Sequence, residues 1–131
     1  MTNKDIAKKY FDSINSNNFD AISEWLAAGH LFYNPVTDAP LNTPGHLGMM
    51  QKRAAAFDGT YILEQVLAEG NYVTLKGRWE GTHKGEFNGI PATGKQVTFP
   101  WIDLLEIKEG KIATEHFAFN PASIVAQIKT V

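Results

Sequence analysis

The order of apolar and polar positions differs between the two halves of the chain. Residues 2–16 carry apolar side chains at helical spacing, and residues 19–28 do so again before Gly29. Thr2 and Asn18 precede these segments as helix N-caps. A third helix is predicted from Thr43 and Pro44 to about residue 57, because proline is favoured in the first helical turn. The first half therefore predicts three helices, with a short apolar stretch at 31–33 and a proline-rich loop at 34–42 between the last two.

The second half has the alternating pattern of strands. Strands are predicted at residues 61–68, 71–82, 96–108 and 111–119, with tight turns at Gly70–Asn71 and Glu109–Gly110. A glycine-rich loop, 85–94, separates the second strand from the third, and Asn120–Pro121 precedes a short final helix. Helices followed by antiparallel strands predict an α+β fold, with the helices on one face of the sheet. A single domain, 1–131, is expected, with a cavity between sheet and helices.

Strand alternation predicts which polar side chains face this cavity. Odd-numbered positions of the three long strands are mostly apolar, which assigns them to the buried face. Three of them are polar: His83 at the end of its strand, Asp103 within an apolar row, and Glu115. In the last strand the alternative is that His116 points inward instead of Glu115.

Asp103 is the strongest candidate for acid–base chemistry. A carboxylate among Phe99, Trp101 and Leu105 loses hydration, which raises its pKa towards neutrality, where a general acid or base works best. The alternative is a structural role, in which Asp103 accepts a backbone hydrogen bond or pairs with a lysine or arginine.

Composition excludes several classes of protein. Twelve basic and 14 acidic residues, evenly mixed along the chain, argue against a nucleic-acid partner. The chain contains no cysteine, and no apolar stretch is long enough to span a membrane, so a cytoplasmic protein is expected. The four histidines lack the spacing of a metal motif, and no metal site is predicted, although ligands from separate strands could converge. Fifteen aromatic residues are many for 131 residues and favour an aromatic-lined cavity.

Several motifs resemble one family over nearly the whole chain. The segment 81–95, GTHKGEFNGIPATGK, is followed by Val97 and Ile102–Asp103, and later come Glu109–Gly110–Lys111–Ile112 and Phe119–Asn120–Pro121. Tyr10–Phe11, Asn18–Phe19–Asp20–Ala21, Tyr33–Asn34–Pro35 and Glu69–Gly70 precede them in the same order. With these motifs the chain is similar to the SnoaL-like polyketide cyclase family, within the nuclear transport factor 2-like superfamily.

The resemblance implies a cone-shaped, curved antiparallel sheet wrapped over three N-terminal helices, with a short C-terminal helix. It also implies an apolar pocket, chemistry without metal or cofactor, and a homodimer through the outer face of the sheet. Family cyclases carry an acidic residue on the last strand, three positions before the Asp of a closing turn. This chain has Phe117 and Asn120 at those two positions. Asp103, helped by His83 or Glu115, would then take the catalytic role.

Two classes of function remain open at this stage. The first is an acid–base enzyme for a small apolar carbonyl compound, such as a polyketide-like ester, with Asp103, His83 and Glu115 as catalytic residues. The second is a non-catalytic module that binds a small apolar ligand or dimerises, and a hydrolase of the superfamily is a weaker third. In either case eight residues are expected to contact the ligand: Tyr10, Trp25, Tyr33, Asn34, Trp79, Trp101, Phe117 and Phe119.

Overall fold

The structure is a computed structural model that describes residues 1–129, so the last two residues of the predicted domain lie outside the described part. It contains four helices and five strands, which confirms the predicted α+β class. In chain order the elements are α1 (Asn3–Asn15), α2 (Phe19–Glu24), β1 (Leu26–Tyr33), α3 (Thr43–Ala56), β2 (Phe57–Glu69), β3 (Tyr72–His83), β4 (Gln96–Lys108), β5 (Lys111–Ala118) and α4 (Pro121–Lys129).

Helix α1 begins at the predicted N-cap. The Thr2 hydroxyl accepts a hydrogen bond from the Asp5 backbone N–H, and the Asp5 carboxylate accepts one from the Thr2 N–H. The capped helix packs its apolar stripe against the sheet, and this brings Tyr10 and Phe11 to the inner face. The cap therefore fixes the position of two aromatic side chains near the candidate site.

The prediction for residues 19–28 is wrong beyond Glu24. Helix α2 ends there, and the chain enters strand β1 at Leu26 instead of continuing to Gly29. Strand β1 runs parallel to β5, with a bulge between Leu26 and Leu31, so the sheet is mixed and not purely antiparallel. Hydrogen bonds to a strand far along the chain outweigh the local helical preference of Ala27 and Ala28.

The five strands are ordered β1-β5-β4-β3-β2. Strands β2, β3, β4 and β5 pair antiparallel in sequence, and both predicted tight turns connect them. In the second turn Glu109 and Gly110 both have positive φ angles, 51° and 76°, which matches the hairpin turn whose twist suits the flanking strands. Strand β2 is longer than predicted and begins directly at the end of α3.

The inner face of the sheet is the one that alternation predicts. Odd-numbered residues of β3 and β4 are buried, and their even-numbered neighbours are mostly exposed. Two glycines leave room for tryptophan rings on this face: a Cβ on Gly77 would lie 2.9 Å from the Trp101 ring, and one on Gly81 would lie 2.3 Å from the Trp79 ring. The two tryptophan rings therefore lie close against the sheet, and the helices and the cavity lie on the other side of the rings.

None of the helices in residues 1–129 combines the length and the apolar character needed to cross a membrane.

Candidate functional site

A cavity of about 550 Å³ lies between the inner face of the sheet and the helices. Its wall is mostly apolar and aromatic, with residues such as Phe11, Phe57, Trp79, Phe99 and Phe119. The deepest polar groups on the wall are the buried side chains of His46 and Glu115. Exposed lining residues define the mouth of the cavity: Val36, Lys52 and Asn88.

Glu115, on β5, is the inward-facing acidic residue of the last strand. Its side chain is 2% exposed and lines the cavity, whereas His116 points outward and stacks on Tyr33. The Tyr10 hydroxyl donates a hydrogen bond of 2.7 Å to Glu115 Oε1. Burial, together with the charge of Glu115, raises the pKa of Tyr10 well above 10, so Tyr10 remains the donor.

Asp103, on β4, is fully buried behind this wall and does not line the cavity. Neither of its oxygens receives a hydrogen bond from any residue in 1–129. Burial raises the pKa of Asp103 well above its usual value, and the neighbouring charge of Glu115 raises it further. The raised pKa favours the protonated form of Asp103, and a protonated carboxyl is a hydrogen-bond donor.

Two buried histidines from different elements meet next to Glu115. His30 on β1 has its Nδ1 3.1 Å from the Ile112 carbonyl, and its Nε2 is 3.1 Å from His46 Nδ1 on α3. A carbonyl oxygen only accepts, so His30 Nδ1 carries the hydrogen and, in the neutral rings, His46 Nδ1 donates to His30 Nε2. This leaves His46 Nε2 as the nitrogen without a hydrogen. Burial lowers the pKa of His46 to about 4, and it lowers the pKa of His30 as well.

These histidines and Glu115 also form a group of three metal-type donors. One donor atom from each lies within 4.8 Å of the others. The two imidazole rings are nearly coplanar, 13° apart, and their centres are 5.3 Å apart. With the two nitrogens 3.1 Å apart, the ring centres could not be much further apart than 5.3 Å. This separation is reached only when both nitrogens lie on the line between the ring centres, so the two nitrogens point at each other. A metal would need both lone pairs aimed at a third point, so the arrangement fits a hydrogen-bonded chain better than chelation.

His83 lies at the opposite end of the inner face from Asp103. Asp103 pairs with Leu75, and His83 is eight residues further along β3, or about 26 Å at ordinary strand spacing. His83 Nδ1 lies 2.9 Å from the Thr93 hydroxyl and accepts a hydrogen bond of 3.2 Å from the Thr93 N–H. The structure therefore brings Asp103 and Glu115 together but leaves His83 apart from both.

Only some of the residues expected to contact a ligand reach the cavity. Trp79, Phe117 and Phe119 line it. Tyr10 reaches it only through Glu115, and Trp101 is covered by the Phe11 ring, stacked at 5.0 Å between centres. Trp25 caps the end of α2, away from the wall. Tyr33 and Asn34 border a separate shallow depression of about 230 Å³, together with His116.

Sequence reasoning missed two of the residues that α3 contributes to the wall, His46 and Arg53. His46, Met50 and Arg53 line the cavity and follow the i, i+4, i+7 spacing of one helix face. That spacing was the available signal for His46. Its partner His30 alternates with Phe32 on β1, but only a short apolar stretch at 31–33 was predicted here and no strand, so the pair could not be recognised.

Comparisons with known proteins agree with this fold. The model of the family described as SnoaL-like polyketide cyclase matches residues 4–128. No curated protein sequence matches the chain significantly. Among solved structures, IdmH from Streptomyces antibioticus, a candidate polyketide cyclase, is 23% identical with a TM-score of 0.89, over 99% of this chain and 100% of that chain.

Two further structures are similar over almost their whole lengths. AclR from Streptomyces galilaeus, a candidate hydroxylase, is 20% identical with a TM-score of 0.89, over 98% of this chain and 96% of its own. A candidate SnoaL-like polyketide cyclase from Jannaschia sp. CCS1 is 19% identical with a TM-score of 0.88, over 98% and 92% respectively. At these identities the structures support the fold, and the family match covers nearly the whole sequence. The chain therefore belongs to the SnoaL-like polyketide cyclase family and has the nuclear transport factor 2-like fold.

Proposed function

We propose that this protein transfers a proton at the carbon next to the carbonyl group of an apolar compound, with Glu115 as the base. The observation that carries the proposal is a buried carboxylate on the wall of a largely apolar cavity. A carboxylate on the wall that a bound ligand contacts is the group that general-base catalysis requires. A cavity of about 550 Å³ is large enough for a drug-sized ligand.

Tyr10 and Asp103 support Glu115 from behind the cavity wall. The hydrogen bond from Tyr10 fixes one carboxylate oxygen and thereby sets the orientation of the side chain. Burial and the neighbouring charge of Glu115 raise the pKa of Asp103, which favours its protonated form beside Glu115. We assign Asp103 a positioning role that acts through Glu115, in place of the direct acid–base role that its sequence context suggested.

His46 supplies a second polar group on the same wall. Its pKa of about 4 keeps it neutral at pH 7, and the hydrogen bond to His30 leaves Nε2 as an acceptor. An unprotonated imidazole nitrogen accepts a hydrogen bond from a hydroxyl or enol group of the ligand. His46 therefore orients a substrate whose acidic C–H bond faces Glu115.

Ring closure follows from the same proton transfer when the substrate carries a second carbonyl group. The C–H bond breaks, its proton moves to Glu115, and the electron pair forms an enolate. The enolate carbon attacks the second carbonyl, a carbon–carbon bond forms, and the proton returns from Glu115 to the new alkoxide oxygen. The step is balanced without any other reactant, and it agrees with the cyclase description of the family.

Deuterium exchange tests the proton transfer without the natural substrate. 2-Tetralone is a small apolar ketone with acidic protons next to its carbonyl group. In D₂O, the wild-type protein is expected to accelerate loss of the proton signal at this carbon, followed by nuclear magnetic resonance. Glu115→Gln is expected to lower the exchange rate by about 10²- to 10⁴-fold, the usual range for removal of a general base.

Glu69→Gln is the matched control for this variant. Glu69 is an exposed strand residue, so the same substitution there leaves the cavity unchanged. Exchange that is equal in the wild type, Glu115→Gln and the protein-free buffer contradicts the proposal. In that case 2-tetralone affinity, measured by calorimetry, decides whether the cavity only binds a ligand, which is the second candidate function.

The outer face of the sheet supports a further proposal, that two copies of the chain form a homodimer. Ile102 is 49% exposed and Leu104 is 36% exposed on the outer face of β4, and Leu67 is exposed on β2. Large apolar side chains grouped on a sheet face favour burial against a partner. Sedimentation analysis is expected to give a dimer for the wild type and a monomer for Ile102→Lys. A monomeric wild type contradicts the dimer.

A further inference from the structure

The chain contains two arginines, and they have different environments. Arg78, on the outer face of the sheet, donates to Glu80 at 2.9 Å and to Glu64 at 3.1 Å. Arg53, near the end of α3, lines the cavity, and its side chain makes no hydrogen bond or ion pair with any residue in 1–129. Its guanidinium group lies over the Tyr61 ring, 5.1 Å from the ring centre.

Arg53 makes a cation–π contact with the Tyr61 ring, and its guanidinium donates no hydrogen bond to a side chain or carbonyl in residues 1–129. The five N–H groups of the guanidinium therefore have no protein acceptor there. Arg53 is half-buried, so part of this donor set is shielded from water, and the neighbouring Lys52 adds a second positive charge at the mouth. No acidic residue other than Glu115 lines the described cavity, so no carboxylate next to Arg53 and Lys52 in the wall neutralises their positive charge. These two residues form the positive end of the cavity.

Arg53 and His46 occupy separate turns of α3 along the cavity wall. His46 and Arg53 line the cavity seven residues apart on one face of α3. At 1.5 Å per residue this places them about 10 Å apart along the helix axis. The cavity therefore has a proton-accepting end and an anion-accepting end, joined by an apolar and aromatic wall.

We propose that the ligand of this cavity is an apolar compound with one anionic group, bound by Arg53 and Lys52 about two helical turns along α3 from the position of His46 beside the reacting carbon. The position of the reacting carbon rests on the function proposed above for Glu115. The anion is a carboxylate or a phosphate monoester, because both match the planar donors of a guanidinium. Neutral compounds of the same shape fill the cavity but leave the Arg53 donors unpaired.

Three probes with one aromatic body test this selectivity by calorimetry: 4-(2-naphthyl)butanoic acid, the corresponding primary alcohol, and its phosphate monoester. The wild type is expected to bind at least one of the two anions about tenfold more tightly than the alcohol, since a charge-assisted hydrogen bond contributes about this factor. The stronger anion identifies the group. Increasing salt is expected to weaken binding of the anion and leave binding of the alcohol unchanged.

Arg53→Met is expected to abolish the preference for the anion, and Arg53→Lys to retain part of it. Arg78→Met removes the same side chain from the outer face and is expected to leave the preference unchanged. Equal affinity of the wild type for acid, phosphate and alcohol overturns the proposal, as does equal loss of preference in Arg53→Met and Arg78→Met. Binding of none of the probes also overturns it.

The two proposals fail independently of each other. The naphthyl probes measure binding alone, so Glu115→Gln is expected to retain the preference for the anion. Exchange of 2-tetralone, which is neutral, does not depend on an anion site. If the preference for the anion is absent while deuterium exchange is normal, only the anion-site proposal is contradicted. If the preference is present while exchange is absent, only the proton-transfer proposal is contradicted.

Discussion

Buried histidines occur at both ends of the inner face of the sheet, and the two groups differ in what surrounds them. His30 and His46 adjoin Glu115, and His46 lines the cavity. His83 is equally buried, but its Nδ1 accepts from Thr93 and its Nε2 has no partner among residues 1–129. Its ring packs 5.3 Å from that of Phe57. Burial alone therefore does not identify a functional histidine.

The difference lies in where the remaining nitrogen of each ring points. At the Glu115 end the hydrogen-bonded chain from the Ile112 carbonyl leaves an acceptor nitrogen on a residue of the cavity wall. At the other end the bonds to Thr93 attach the glycine-rich loop to the end of β3, and the backbone N–H of Gly94 donates to the His83 carbonyl. The first arrangement is suited to substrate chemistry, and the second to holding a loop.

The largest expected effect on stability concerns His46. Its pKa is about 4 in the folded protein and about 6.5 in the unfolded chain, so the unfolded chain takes up a proton first as the pH falls. The free energy of unfolding should therefore decrease between pH 6.5 and pH 4, by about 3 kcal/mol from this residue. His46→Asn keeps a donor for His30 but does not titrate, so urea unfolding should show a flatter pH dependence than in the wild type. An identical pH dependence contradicts the assignment.

The next effect is that of Asp103, and its sign is opposite. The folded protein holds the Asp103 proton to a higher pH than the unfolded chain, whose carboxyl titrates near pH 3.8, so this residue makes the fold less stable as the pH rises above 3.8. Asp103→Asn should therefore be more stable than the wild type, by about 1–3 kcal/mol at pH 8 and by less at pH 5. Urea unfolding of both proteins at the two pH values checks this. A stability difference that does not change with pH contradicts it.

His83 is expected to affect stability without affecting proton transfer. His83→Leu removes the acceptor of the Thr93 N–H and should lower the free energy of unfolding by about 1–2 kcal/mol. Hydrogen exchange of loop 85–94 should become faster. Deuterium exchange of 2-tetralone should change by no more than about threefold, which is under 1 kcal/mol. A loss as large as that of Glu115→Gln would make His83 part of the catalytic site.

The strands of the inner face could be predicted because their pattern is local. Alternation assigned Asp103 to the buried side and favoured Glu115 over His116 in the last strand, and Asp103 and Glu115 are both buried. Alternation could not show which of the two carboxyl groups reaches the cavity, because this depends on which part of the sheet face each helix covers. Phe11 of α1 covers Trp101, and Asp103 lies behind the same wall, while Glu115 remains at the cavity.

The histidine chain could not be predicted because it depends on contacts between distant parts of the sequence. His30 reaches its position through the parallel pairing of β1 with β5 and the bulge between Leu26 and Leu31. His46 is brought to it by α3, 16 residues later. Neither contact leaves a spacing motif, and the wrongly extended second helix concealed the start of β1.

The smallest expected effect comes from Tyr10, which contacts Glu115 and not the cavity. Tyr10→Phe removes one hydrogen bond to Glu115 and should cost about 1 kcal/mol of stability. If Tyr10 only fixes the carboxylate, 2-tetralone affinity should be unchanged while the exchange rate falls, because the Glu115 side chain is oriented less firmly. Tyr61→Phe is the control, because it removes a hydroxyl from the cavity wall without touching Glu115. Equal exchange rates for Tyr10→Phe and the wild type would mean that the fold orients Glu115 without the hydrogen bond from Tyr10. The Glu115 end of the inner face would then differ from the His83 end only through its carboxyl and histidine groups.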